Sequence, residues 1–276
     1  MPKALTPAQI QAYERDGFLF PINIYSHDEA AELSRKVEEM EERIGGELQA
    51  KFRIKAHLPF PWLVDIVRNE KLLDAVEDII GPDILCWGAS FFSKKARDHR
   101  FISWHNDTYF YSYEPQETLS AWVSFNPATL ESGCIKYIPG THKELDPRHE
   151  FHPGPDNLVT DGRTIIGVDK ARAVPAILEP GQVVFHHERV VHGSGPNNAD
   201  HPRVGFVIHY VAPHVRETKF EGATAMLCRG KDNSGHWLPD PEPVCELDPE
   251  CLRQLEETRA QFLSRNRQKA VADGSR

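Results

Sequence analysis

In the segment SWHNDTYFY, His105 and Asp107 stand two residues apart. On a strand that spacing puts both side chains on one face, an imidazole beside a carboxylate. Together they can grip one divalent metal. A third ligand has to come from elsewhere. His192 in VVHGSGPNN can supply it, although His186 and His187 compete for the position. Two histidines and one carboxylate on one face of an octahedron leave the opposite face open. That suits non-haem Fe(II), which must admit a chelating cosubstrate as well as O2. The same three side chains can hold Zn2+. On these residues alone a non-oxidative cupin-type isomerase or hydrolase therefore stays open, as does a metal-free binding module.

Eleven residues after His192, Arg203 opens the strand RVGFVIHY. If Arg203 points inward, so do Gly205, Val207 and His209. A buried guanidinium beside a metal needs an anion, because an unpaired buried charge is very costly. A planar carboxylate matches its fork. The far carboxylate of 2-oxoglutarate would serve while the keto-acid end chelates iron, and Ser194, two residues after His192, could add a hydroxyl bond. The plain alternative is a surface arginine in a salt bridge.

The elements that must position these residues follow from local pattern. Thr6 with Gln9, and Pro7 at the first helical position, open a short helix that Gly17 ends. Ser26 with Glu29 opens a longer one, with Leu33, Val37, Met40 and Ile44 recurring at helical spacing. Asn69 starts a third that carries Leu72, Leu73, Val76, Ile79 and Ile80 to a stop at Gly81-Pro82. From Ile84 the pattern changes: ILCWGASFF, FISWH, LSAWVSF, CIKYIP, QVVFH and VGFVIHYV read as strands between turn residues. After Ala212 the chain reads as irregular until Asp248-Pro249, which caps a last helix over about 250–264. The expected fold is mainly β with flanking helices, a double-stranded β-helix (a cupin-like jelly roll). Residues 1–276 form one domain in this reading: a helical part over 5–81, a β-helix core over 83–212, and a flap and helix over 213–266.

Composition narrows the partners. A formal net charge of −9 argues against a broad nucleic-acid surface. No apolar run is long enough to span a bilayer. The first residues lack the apolar stretch of a secretory signal, and five scattered cysteines point to a reducing, cytoplasmic setting. The expected partner is a small molecule, with no nucleic acid and no membrane.

Taken in order and spacing, HLPFPWLVDIVR, GPDILCWGASFFSK, SWHNDTYFYSYEPQETLSAWVSF, ESGCIKYIPGTHK, VVHGSGPNN, RVGFVIHYVAPHV and RGKDNSGHW resemble the phytanoyl-CoA dioxygenase family of Fe(II)/2-oxoglutarate oxygenases, especially its short bacterial members. The resemblance implies iron held by His105, Asp107 and His192, and 2-oxoglutarate held by Arg203 and Ser194. It implies hydroxylation of an unactivated C–H bond in a small polar metabolite or natural product, with O2 consumed and 2-oxoglutarate decarboxylated to succinate and CO2. Trp122 and Ser124 match positions lining the cosubstrate pocket, although Trp122 could equally be a core aromatic. Lys55, and Ser90 with Phe92, fall near other cosubstrate-contacting positions. Their plain readings are a solvated charge and ordinary strand packing. Two departures stand out: Asn106 where Gln is usual between the ligands, and His209 where many relatives carry Arg. Asp107 favours hydroxylation over halogenation, since halogenating relatives lack this carboxylate.

For the substrate side, Tyr109 and Tyr111 share the parity of His105 and Asp107 and could form a pocket wall or simply pack the core. The run from Lys94 to Arg100 could attract an anion or form a solvated loop. Arg229, Asp232, His236 and Trp237 in RGKDNSGHW could belong to a mobile flap over the site or to a surface turn.

Overall fold

In the computed structural model, residues 2–110, 112–144, 148–159, 162–219 and 221–272 are described. The helical start follows its local signals. The Thr6 hydroxyl accepts from the Gln9 amide while the Gln9 side chain accepts from the Thr6 amide, and Gly17 closes Pro7–Asp16 in the left-handed region at φ 83°. Ser26 and Glu29 form the same reciprocal pair at the start of His27–Ile44. Such caps are worth about 1 kcal/mol each. Asn69 caps Glu70–Ile80. A further helix, Pro61–Val67, has no side-chain cap and buries Trp62, Leu63, Val64, Ile66 and Val67. Pro61 at its first position is its one local start signal, and burial holds it.

Two sheets face each other behind these helices. The larger has seven strands in the order Phe18–Asn23, Gln182–His187, Leu119–Ser124, Arg203–Val211, Ile84–Lys94, Thr224–Arg229, Leu238–Pro239. The smaller has four, in the order Ile102–His105, His192–Ser194, Ile135–Tyr137, Val174–Pro175. This is the double-stranded β-helix expected from the sequence. All six strands read from the sequence form. Thr224–Arg229 corrects the expectation of irregular chain after Ala212: it pairs antiparallel with Ile84–Lys94. TAMLCR holds a single β-branched residue, so its strand state comes from that pairing rather than from propensity.

The central strand Arg203–Val211 is buried along its whole length, and its alternation sorts side chains onto two faces. Val204, Phe206, Ile208 and Tyr210 join the core under the helices, with Leu63, Val67, Leu72 and Val76. The Tyr210 hydroxyl donates to the Val67 carbonyl at 2.8 Å, anchoring the helical layer. Arg203, Val207 and His209 face the space between the sheets. The last helix starts at the Asp248 cap, whose carboxylate accepts from the Glu250 and Cys251 amides. It extends over Pro249–Ala272, past the expected stop, because RQKA continues with good helix formers.

Candidate metal centre

His105 ends the strand Ile102–His105 and His192 begins His192–Ser194, and the two are direct cross-strand partners in the smaller sheet. Asp107 follows after Asn106, not on the strand but as the first residue of a 3-10 turn, Asp107–Tyr109. The turn swings its carboxylate back toward both imidazoles. His105 Nε2 lies 3.6 Å and His192 Nε2 3.9 Å from Asp107 Oδ1, and one ligand atom from each residue falls within 4.8 Å of the others. Among the described residues this is the group of that kind.

The imidazoles are oriented by the backbone. His105 Nδ1 sits 2.8 Å from the Ser103 carbonyl and His192 Nδ1 3.0 Å from the Val190 carbonyl. A carbonyl accepts only, so each Nδ1 carries the proton and each Nε2 presents its lone pair inward, the tautomer a metal requires. Burial first, and for His105 the neighbouring His192, lower both imidazoles to about 4. Both are neutral at physiological pH. Burial pushes the Asp107 carboxyl up, but His186 and the two ligand histidines outweigh it and hold the group below the usual carboxylate range. Two neutral imidazoles and one carboxylate form a donor set matched to a divalent ion.

His186 is not a third or fourth ligand. It comes from the larger sheet, with Nε2 3.5 Å from the other Asp107 oxygen and Nδ1 3.1 Å from the Tyr137 hydroxyl. With Tyr137 donating to Nδ1, Nε2 keeps a proton to steady the carboxylate. His187, the other competitor, accepts from the Arg189 amide and packs on His142 away from the triad.

The triad opens into a cavity of about 200 Å³. Arg203 lies at its inner end, fully buried. Among the described residues, Nη1 and Nη2 make only long contacts to the Gly133 and Phe92 carbonyls, at 3.3 and 3.4 Å, and Nε has no partner. Burial lowers the guanidinium to about 10, which leaves it charged at neutral pH. A buried cation so poorly paired costs several kcal/mol, and a carboxylate would offset that. Ser194 lies beside it. Its hydroxyl accepts from Lys94 Nζ at 2.7 Å, leaving its own proton to donate. The Trp122 ring, 5.3 Å from the guanidinium, forms another wall. It lies across Gly205, where a Cβ would sit 1.9 Å from the ring, so the absence of a side chain there lets the ring lie flat.

Ser90, Phe92 and His209 also line this cavity. The Ser90 hydroxyl accepts from the Ile54 amide, and His209 stacks on Trp87 and bonds the Ser120 hydroxyl. Other expectations are corrected. Ser124 donates to the Asn126 carbonyl, outside the cavity lining. Lys55 is not a solvated charge: it is buried in an ion pair with Asp240 at 2.6 Å, outside the cavity lining. Tyr109 lies under the Arg163 guanidinium, outside the cavity lining, because the turn at Asp107 ends the strand parity that was to aim it inward. Phe110 lines the cavity in its place. Tyr111 falls outside the described residues. Arg229 is tied to Glu70, Asp74 and Glu77 on the helix Glu70–Ile80, and Trp237 donates to the Val215 carbonyl beside a second, smaller cavity. Neither covers the metal centre.

Trp87, Arg53, Arg259 and Phe262 line the cavity without a sequence signal, and Lys94, expected only as part of a basic run, is buried against Ser194. Trp87 reaches the cavity through a bulge in Ile84–Lys94, where the register slips between His209–Gly88 and Tyr210–Cys86 and turns the intervening side chain. No sequence signal marks such a slip beyond Gly88 itself.

The sequence profile of phytanoyl-CoA dioxygenase matches residues 13–205, a span that holds the triad, Ser194 and Arg203. The chain belongs to the phytanoyl-CoA dioxygenase family. Within that family, a probable phytanoyl-CoA dioxygenase of Caenorhabditis elegans is 26% identical over 59% of this chain and 55% of its own length. An ectoine dioxygenase of Bordetella parapertussis is 25% identical over 75% of each chain. The chain spans about half the length of the first curated relatives it matches. Among solved structures, a non-heme monooxygenase, ThoJ, superposes with a TM-score of 0.83 at 30% identity, over 96% of this chain and 99% of that one.

Proposed function

We propose that this protein is an Fe(II)/2-oxoglutarate-dependent dioxygenase that hydroxylates an unactivated C–H bond of a small metabolite or natural product. The observation that carries the reading is the pairing, in one cavity, of the His105–Asp107–His192 donor set with the underpaired guanidinium of Arg203. A non-oxidative metal enzyme has no use for that second feature. When bound, Fe(II) and 2-oxoglutarate supply the oxidising power: O2 is reduced as the keto acid loses CO2 to become succinate, and one oxygen atom goes to the substrate.

The chain's own residues position and shield. His105, Asp107 and His192 would hold the ion, with their tautomers set by the Ser103 and Val190 carbonyls. Arg203 and the Ser194 hydroxyl would take the far carboxylate of 2-oxoglutarate, with Trp122 and Val207 closing the sides. Phe91, Phe92, Ile102, Phe110, Leu158 and Val159 would exclude water from the reacting carbon. The walls come from Arg53 in the N-terminal part, from the β core and from the last helix, which supports treating residues 1–276 as one catalytic domain.

The test is anaerobic. Fe(II) and then 2-oxoglutarate are added to metal-free protein, and the visible spectrum is recorded. Bidentate keto-acid chelation should give a weak charge-transfer band that weakens in Arg203→Ala and vanishes in His192→Ala. Iron binding without any band in the wild type would overturn the cosubstrate assignment and favour a non-oxidative enzyme.

A further inference from the structure

At the outer end of the same cavity the lining changes character. Arg53, Arg259 and Leu263 belong to its wall with Phe262, and the Arg53 and Leu263 side chains are open to solvent there. Among the described residues, Arg53 makes no side-chain hydrogen bond or ion pair. Arg259 has one acidic neighbour, Glu256, at 3.6 Å one turn back on its own helix. An exposed pair of that kind is worth well under about 1 kcal/mol, so it offers little competition to an incoming anion. The surrounding protein, and then the charge of Arg259, lower Arg53 from its ordinary value. The two cations therefore act on each other across the opening. On a chain of net charge −9, two guanidiniums sharing one mouth, with only the weak Glu256 contact against them, make a local positive field that draws an anion. The basic run from Lys94 to Arg100 does not play this part. Arg97 is held by Asp200, Arg100 by Asp98 and Glu47, and Lys94 is buried against Ser194.

We propose that the substrate is an amphipathic anion, its carboxylate or phosphate group held at the cavity mouth by Arg53 and Arg259 while its hydrocarbon part reaches inward past Ile54, Trp87 and Phe262 to the metal centre. This rests on the reading that the cavity is a dioxygenase active site. It gives the cavity two cationic ends with separate tasks: the buried Arg203 for the cosubstrate, the solvent-facing pair for the substrate. Guanidinium forks suit both anions, and the apolar lining between the ends suits a chain or ring.

Binding is measured by isothermal titration calorimetry on the full chain loaded with Zn(II) and excess 2-oxoglutarate, so that a carboxylate probe does not simply occupy Arg203. The probes are 4-phenylbutanoate, 4-phenylbutyl phosphate and the uncharged 4-phenylbutanamide. At least one anion should bind roughly tenfold or more tighter than the amide, as charged hydrogen bonds predict, and which anion it is separates a carboxylate from a phosphate substrate. Arg53→Ala and Arg259→Ala should each reduce that preference and the double variant remove it, with amide binding unchanged. Equal binding of amide and anions, no anion binding, or a preference that survives the double variant and disappears in Arg203→Ala would each overturn the proposal. The charge-transfer band, recorded on the same double variant, should persist. Anion preference without any band in the wild type would sink the dioxygenase reading and leave the anion site standing.

Discussion

At the scale of single residues, Lys94 has the most to say about the cosubstrate end. It lies in a run that reads as a basic surface loop, yet its side chain is fully buried, with Nζ donating to the Ser194 hydroxyl and the Gly195 carbonyl. Burial, and then the charge of Arg203, lower its ammonium to about 6. In the unfolded chain it titrates near 10.4. The unfolded state therefore binds the extra proton between those values, and this group makes metal-free protein more stable as pH rises through that window. A dicarboxylate arriving beside Ser194 and Arg203 favours the charged amine. Binding of 2-oxoglutarate at pH 8 should thus take up close to one proton, read by calorimetry in buffers of different ionisation enthalpy. Lys94→Met should abolish the uptake and weaken 2-oxoglutarate binding roughly tenfold; uptake unchanged in that variant would clear Lys94 of the role. The triad was legible because its H-x-D pair is local and its chemistry specific. Lys94 was not, since its burial depends on Ser194, a hundred residues away.

At the scale of elements, the strand Arg203–Val211 shows what pattern can and cannot give. Its alternation correctly placed Arg203, Val207 and His209 toward the site, because a two-residue period survives any fold that buries both faces. The same logic failed at Tyr109, where the 3-10 turn at Asp107 ended the strand. It also failed at Trp87, where a bulge shifted the register. Capping boxes were read correctly since both partners lie within one turn. Arg229 and Trp237 were misplaced because their partners, Glu70, Asp74, Glu77 and Val215, are remote or unmarked. Gly205 tests the strand's role directly. A methyl group there meets the Trp122 ring at 1.9 Å, and the indole can give way only into the cavity it lines, on the side of Arg203. Gly205→Ala should cost about 1–3 kcal/mol of stability by overpacking, measured by urea unfolding. It should also weaken 2-oxoglutarate binding, because the displaced ring moves toward Arg203. A variant with unchanged stability and cosubstrate affinity would show that the ring is not fixed by this glycine.

At the scale of the whole molecule, the fold encloses more imidazole than the metal centre uses, and this sets its response to acid. His57 is fully buried beneath the helical layer; burial first, then Lys55 and Arg68, lower it well below its ordinary value. Burial, with His142 and Arg189, lowers His187 to about 4. Both stay neutral in the folded protein, whereas in the unfolded chain they take up a proton near pH 6.5. As pH falls from about 6.5 toward 4 the unfolded state binds more protons, so stability declines, by at most about 1.4 kcal/mol per pH unit for each such site. Carboxylates with depressed values, such as Asp78 and Asp98, act on the same side of the balance but mainly below about pH 5, where unfolded carboxyls begin to protonate. The two contributions are therefore offset along the pH axis. Thermal unfolding of metal-free protein should show Tm falling between pH 6.5 and 4.5. His57→Gln, which keeps a polar side chain but cannot titrate, should have a shallower slope over that interval whatever its Tm at pH 7.5. A Tm independent of pH in that window, or an unchanged slope in the variant, would mean that His57 is already protonated in the native fold.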